Sequence, residues 1–300
     1  MKHTSSKASS AYVRRNRLVG YGFLLPNLIG FAVFILFPVL ASFFMSFTDW
    51  NGFGQMKFTG FANYIRLWSD ETFRISFVNS LIMTFVTVPV TLFLAILAAV
   101  ALNKGVKGLK LFRTAMFLPH ITATIAVAVI WQLLFNPTMG PINSFLRAVG
   151  IEQPPGWFAS ADWALVSVII VNIWHSVGYY MVLYLAGLQG IPSDLYEAAE
   201  IDGAGKASQF RNITLPMLSP VIFFTVIIGI INSFKVFDMV FVLTQGGPGR
   251  ATHVLVFDIY NTAFQRYQYG YASAMAYVLF ILILIITWIQ FRGQKKWVNY

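Results

Sequence analysis

Six stretches of this 300-residue chain, about 21–47, 76–102, 114–135, 164–188, 218–243 and 270–291, are apolar for longer than most buried segments of a soluble protein. Each meets or exceeds the roughly 20 residues that an α-helix needs to cross the hydrocarbon core of a bilayer. Lipid offers no hydrogen bonds to an open backbone, so spanning segments of this length must be helical. Composition agrees, because 57% of the residues are hydrophobic and only 11% charged, too few charges to cover a soluble domain of this size. The expected fold is therefore all-α and integral to a membrane, with six transmembrane helices. A 19-residue polar and basic tail precedes them (Lys2, Lys7, Arg14, Arg15, Arg17), and residues 292–300 follow. We expect the tail to be disordered. The first run is too long for a signal-peptide core and reads as an uncleaved span, kinked at Pro26 and Pro38.

Charge placement orients these spans. Lysine and arginine number five in residues 1–19, four in 103–113, two in 189–217 and three in 292–300. On the alternate side they number three in 48–75, one in 136–163 and two in 244–269, while Lys235 lies inside an apolar run. Fourteen against six predicts that both termini and the 190–216 segment are cytoplasmic. The net charge of +10 is thus explained by topology, and nucleic acid is not an expected partner. The absence of cysteine excludes disulfides and thiolate metal sites, and leaves the redox compartment open.

The longest polar island between two apolar runs is 190–216. Pro192 and Ser193 open a helix there, with Ser193 expected to cap it and Asp194 and Glu197 placing negative charge in its first turn. Leu195, Ala198 and Ala199 fall on one small-residue face, and Gly203 and Gly205 end the helix. On residues alone this could be an ordinary cytoplasmic loop. Glu197-Ala198-Ala199, Gly203, Ile213 and Leu215-Pro216, however, meet the spacing EAA-x3-G-x9-I-x-LP without a gap. That resembles the EAA loop of membrane permeases in binding-protein-dependent ABC importers. Further stretches are similar to the carbohydrate-uptake branch of those permeases: Phe117-Leu118-Pro119, Trp131, Asn136-Pro137, Gly140-Pro141-Ile142-Asn143 and Thr244-Gln245-Gly246-Gly247-Pro248. The match is nearest to the larger maltose-permease type, without its large inserted extracytoplasmic domain.

The resemblance implies a type I ABC importer permease fold in the bacterial cytoplasmic membrane, with the EAA loop docking into an ATP-hydrolysing subunit. Glu197, Ala198, Ala199, Asp202 and Gly203 are then the coupling residues. It also implies a second homologous permease subunit, an ATPase dimer, an extracytoplasmic solute-binding protein and a carbohydrate substrate, with glycerol phosphate or another polyol as the alternative. ATP and magnesium would be held by the ATPase, and no cofactor or metal by this chain, which would not itself be an enzyme. Gly205-Lys206-Ala207 looks like the end of a phosphate-binding loop, but Glu200 stands where the earlier glycine belongs and Ala207 where magnesium needs a hydroxyl.

Polar side chains inside spans face the bundle interior or a wet cavity. In the fourth run Asn172, Ser176 and Tyr179 form a stripe at i, i+4 and i+7, flanked by His175 and Tyr180. The fifth run carries Gly229, Asn232, Ser233 and Lys235, with Asp238 three residues beyond. Amides and hydroxyls match sugar hydroxyls, and aromatic faces match sugar C–H surfaces. By resemblance, Asn172, Ser176, Tyr179, Gly229 and Ser233 occupy the substrate-contacting positions of the family. On residues alone the stripe could instead make interhelical hydrogen bonds, and Lys235 could pair with Asp238. His3, His120 and His253 look scattered. A membrane enzyme would need ionisable groups converging at one depth, and a channel would have no use for the coupling loop.

Overall fold

The computed structural model describes residues 5–103, 108–295 and 297–298. Lys2 and His3, the middle of the basic turn expected at 103–110, and residues 296, 299 and 300 of the C-terminal tail lie outside the described residues. Helix α1 (Ser5–Phe31) runs through most of the stretch expected to be a disordered tail. No proline or glycine interrupts residues 5–19, so helix can propagate back from the apolar run. A π-helical turn at Ala32–Leu36 joins α1 to α2 (Phe37–Met45), and Val19–Met45 forms the first span.

Proline explains that turn. Pro38 has no N–H for the Phe34 carbonyl and its ring crowds it; the ladder resets just before, with Phe37 N–H bonded to Ala32 O. The same device recurs at Phe210–Thr214, where Leu215 N–H bonds to Phe210 O immediately before Pro216. The expected kink at Pro38 is thus a register shift in the helix.

A two-stranded antiparallel ribbon (β1 Thr48–Asp49, β2 Lys57–Phe58) and a short α3 (Ala62–Ser69) lead to the second span, α4 (Glu71–Leu102). Asp70 caps α4 by accepting from Thr72 N and Phe73 N, and it receives the Tyr271 hydroxyl at 2.8 Å. The expected third span is two helices, α5 (Leu109–Ile121) and α6 (Thr124–Leu134), meeting at 99°. Pro119 removes one ladder donor, and Thr122 Oγ1 returns to Leu118 O at 2.8 Å, so the helix ends and restarts at Thr124. After α7 (Pro141–Ala148) come the fourth span α8 (Ala161–Gln189), then α9 (Ser193–Ile201) and α10 (Lys206–Gln209). Helix α11 (Leu215–Phe234) continues α10, and Lys206–Phe234 is one apolar span. It stops well before the expected boundary at 243: residues 235–237 break it, and α12 (Asp238–Leu243) is a separate helix packed on α6. The break falls at Lys235, whose charge is costly inside a continuous span and cheap beside a polar cavity. Helices α13 (Leu255–Tyr260) and α14 (Tyr269–Gln294) complete the chain. Five continuous spans plus the bent α5–α6 pair account for the six crossings.

In a bilayer the lipid tails are as apolar as leucine, so close packing and small residues hold the bundle. A Cβ on Gly178 of α8 would lie 1.8 Å from Met116 O of α5, and one on Gly187 2.9 Å from Leu218 Cδ2 of α11. A Cβ on Gly270 would lie 2.0 Å from Thr48 O, which seats α14 under the ribbon. Helices α4 and α8 make the most extensive pair, with Ala95, Ala99, Met181 and Tyr184 fully buried between them and α11.

Candidate functional site

Three walls enclose a cavity of about 500 Å³. Helix α8 supplies Asn172, His175, Ser176, Tyr179 and Tyr180; the end of α11 and the break beyond it supply Gly229, Asn232, Ser233, Lys235, Phe237 and Asp238; α4 supplies Thr87 and Thr91. His120 and Thr124 reach it from the two sides of the α5–α6 bend. All seven residues expected along a substrate path (Asn172, Ser176, Tyr179, Gly229, Asn232, Ser233, Lys235) lie on this one surface. Among the described residues no ion pair within 4.0 Å joins Lys235 to Asp238. Both charges line the cavity instead.

Two absences of a side chain create the room. Gly178 lets α8 approach α5 at the bend, and His120 there stacks on Tyr179 with ring centroids 4.6 Å apart. His175 stands 5.4 Å from His120. His120 is therefore not a scattered histidine: Pro119 and Thr122, which break the span, deliver it to the cavity. Gly229 brings α11 against α4, where a Cβ would meet Val88 Cγ1 at 3.1 Å and Tyr180 Oη at 3.4 Å.

The lining is polar but not internally satisfied. Thr87 Oγ1, Thr91 Oγ1, His120 Nδ1, His175 Nε2 and Ser233 Oγ have no hydrogen-bond partner among the described residues. An unmade hydrogen bond on a buried polar group is destabilising by about 1–3 kcal/mol, so such a surface is built for an occupant or for water. Reading α4 as an apolar run hid its part in this. Its buried positions 76, 80, 84, 87 and 91 are all Ser or Thr, one helical face that helical spacing alone could have revealed.

The N-terminal end of the same face carries a different polar group. Ser76 Oγ lies 3.1 Å from His253 Nδ1 and 3.3 Å from Asp258 Oδ2, and Ser80 Oγ accepts from Leu255 N at 2.8 Å. Asn79 Nδ2 donates to the carbonyls of Arg250, Ala251 and His253. Burial and the nearby Asp70 charge push the Asp258 carboxyl up to about 6. Burial, then the charges of Arg266 and Arg250, push His253 down to about 4. His253 is neutral at pH 7 and belongs to a hydrogen-bonded clasp between α4 and the 244–258 segment, not to a scattered set.

On the opposite face of the molecule α9 stands exposed, with Ile201 87% accessible and no residue buried. Pro192, not Ser193, is its N-cap residue, and no side chain caps it. Ser193 sits inside the first turn and donates its hydroxyl to Asp194 Oδ1 at 3.4 Å; Asp194 alone puts negative charge in that turn, and Glu197 lies beyond it. The helix closes with Ala204 N bonded to Ala199 O and Gly203 N to Glu200 O, and Gly203 is left-handed at φ +79°. Glycine is the residue this closure favours. Glu197, Ala198, Asp202 and Gly203 are exposed and Ala199 half-buried. Tyr196 Oη meets Thr214 Oγ1 at 3.0 Å and ties α9 to the π-turn at the foot of α11.

Residues 76–297 match the family described as binding-protein-dependent transport system inner membrane component. The lactose transport system permease protein LacF of Rhizobium radiobacter is 37% identical over 301 residues, 99% of this chain and 99% of that protein. The sn-glycerol-3-phosphate transport system permease protein UgpA of Agrobacterium fabrum is 32% identical over 287 residues, 95% and 97% of the two chains. A solved chain of the bacterial alginate ABC transporter, in complex with an alginate pentasaccharide-bound periplasmic protein, superposes with a TM-score of 0.83 at 25% identity. It covers 95% of this chain and 96% of that one.

Proposed function

The chain belongs to the binding-protein-dependent transport system inner membrane component family, and from that premise we propose that it is the membrane-spanning subunit of an ATP-driven carbohydrate importer, forming half of the solute path. The observation that carries this reading is the cavity, where hydroxyl, amide, imidazole and phenol groups from three helices converge around one lysine and one aspartate. Such a lining suits a neutral polyhydroxyl solute. A phosphorylated polyol would call for several cations, and Lys235 is balanced by Asp238 in the same wall.

In this reading a second, homologous permease subunit completes the path, an extracytoplasmic binding protein delivers the sugar, and ATP and magnesium sit on a separate ATPase dimer. Both termini and α9 face the cytoplasm. Helix α9 is the handle: its exposed face, with Glu197 as the charged contact, docks on the ATPase. The Tyr196–Thr214 bond then transmits movement to α11, whose far end is the cavity wall. Nucleotide binding shifts the bundle between two packings by binding one of them more tightly.

Uptake into proteoliposomes of the assembled complex, with a panel of disaccharides and glycerol 3-phosphate, tests it. The reading predicts nucleotide-dependent uptake of a disaccharide, abolished in Gly203→Asp while membrane insertion is retained. Left-handed backbone is unfavourable by about 1–2 kcal/mol for a residue with a side chain. Uptake without nucleotide, or wild-type uptake in Gly203→Asp, would contradict it.

A further inference from the structure

We propose that Thr87 and Thr91 of α4 recognise the transported sugar, each offering its hydroxyl to a sugar hydroxyl from the third wall of the cavity. This rests on the carbohydrate reading above and adds a wall to it. A helical threonine ordinarily returns its Oγ1 to a carbonyl one turn back. Thr114 does so to Lys110 O at 2.9 Å and Thr225 to Ile222 O at 2.9 Å. Thr87 and Thr91 do not, although they are only 3% and 1% exposed. Their hydroxyls have therefore given up the nearest available acceptor without gaining another from the protein. Both line the cavity, and across it Ser233 Oγ is also without a partner.

The geometry that holds them there is specific. Gly229 allows α11 to close on α4 beside Val88, between the two threonines in sequence. Positions i and i+4 rise about 6 Å along one helical face, so the two hydroxyls can meet groups on neighbouring parts of one solute. A hydroxyl both donates and accepts, which fits a polyol and gives no preference to an anion. In this packing both hydroxyl oxygens are closed to solvent, so the sugar reaches them only when the lining opens during transport.

Thr84 supplies the control. It is fully buried, its Oγ1 is equally unpartnered, and it lies outside the cavity lining. The test compares the wild-type complex, Thr87→Val/Thr91→Val and Thr84→Val in proteoliposomes, reading nucleotide-driven uptake of labelled lactose, maltose and trehalose alongside the thermal unfolding midpoint. Valine keeps the shape and removes the hydroxyl. The double variant is expected to raise the half-saturation concentration roughly tenfold with no fall in the unfolding midpoint, and Thr84→Val to leave half-saturation unchanged. An unchanged half-saturation in the double variant overturns the proposal. So does a lowered unfolding midpoint, which would make the hydroxyls structural. A wild-type complex that moves none of the three sugars instead overturns the carbohydrate reading, and this inference with it.

Discussion

One face of α4 carries two polar regions that behave in opposite ways. At its N-terminal end Ser76 and Ser80 are tied to His253, Asp258 and Leu255. Deeper in the bundle, Thr84, Thr87 and Thr91 hold hydroxyls with no partner among the described residues. Both sets are buried, so both needed hydrogen bonds to be stable. The satisfied cluster locks α4 to the segment 244–258. The unsatisfied set faces, in part, a cavity whose other walls carry the residues expected along a solute path. Saturation of a buried polar group is thus a marker of structural work, and its absence beside a cavity a marker of binding.

The comparison can be broken most forcefully at Gly178. Its hydrogen occupies the space where a methyl would lie 1.8 Å from Met116 O, so Gly178→Leu should push the α5–α6 bend, and His120 with it, off the cavity. We expect uptake to fall at least about 100-fold, consistent with overpacking penalties of several kcal/mol. Retained uptake would mean that the cavity tolerates displacement of this wall. Next in size, Asp258→Ala should lower the stability of the complex by about 0.5–1.5 kcal/mol by removing one of the three partners of Ser76, whose hydroxyl keeps Thr72 O and His253 Nδ1. Half-saturation for solute should stay unchanged, and calorimetry with uptake on one preparation reads both. If solute affinity falls with stability, the two regions are not separable.

A pH series sharpens the contrast further. Asp258 is raised to about 6, so its contribution is present at low pH and is lost as pH rises toward 6. His253 is depressed to about 4, so its contribution is present at neutral pH and is lost as pH falls toward 4. In the wild-type protein the two slopes oppose each other between about 4 and 6. His253→Gln should therefore show stability falling as pH rises through that window, and Asp258→Asn stability rising. Parallel curves for the two variants would show that neither group titrates in the clasp. The smallest effect belongs to the rim: Arg250 and Glu71 pair at 3.3 Å with side chains 40% and 65% exposed. Glu71→Gln should change the unfolding free energy by under about 1 kcal/mol.

Much of this was legible beforehand, for identifiable reasons. Long apolar runs announce spans because lipid leaves the backbone no other option. Asn172, Ser176 and Tyr179 were visible as a stripe because their neighbours on α8 are apolar. The short helix closed by Gly203 was visible because the glycine and the EAA spacing are local. What escaped notice was non-local or disguised. Serine and threonine in α4 are weakly polar and blend into an apolar run, so Thr87 and Thr91 were passed over. The 99° bend depends on Thr122 competing for a carbonyl beside Pro119, which no hydropathy pattern reports. The end of α11 at Phe234 was hidden by the apolar residues of α12, which continue the run past the break at 235–237.

Under the proposed function a single cavity opens to one side of the membrane at a time, under the control of nucleotide held by another chain. The native chain has no cysteine, so Ser176→Cys places one thiol in the cavity wall. Its labelling by a membrane-impermeant thiol reagent added outside should be slow in the resting complex and at least about tenfold faster when the ATPase is trapped with a non-hydrolysable nucleotide, the change expected of a shift between two populated states. Equal labelling in both states would contradict the claim.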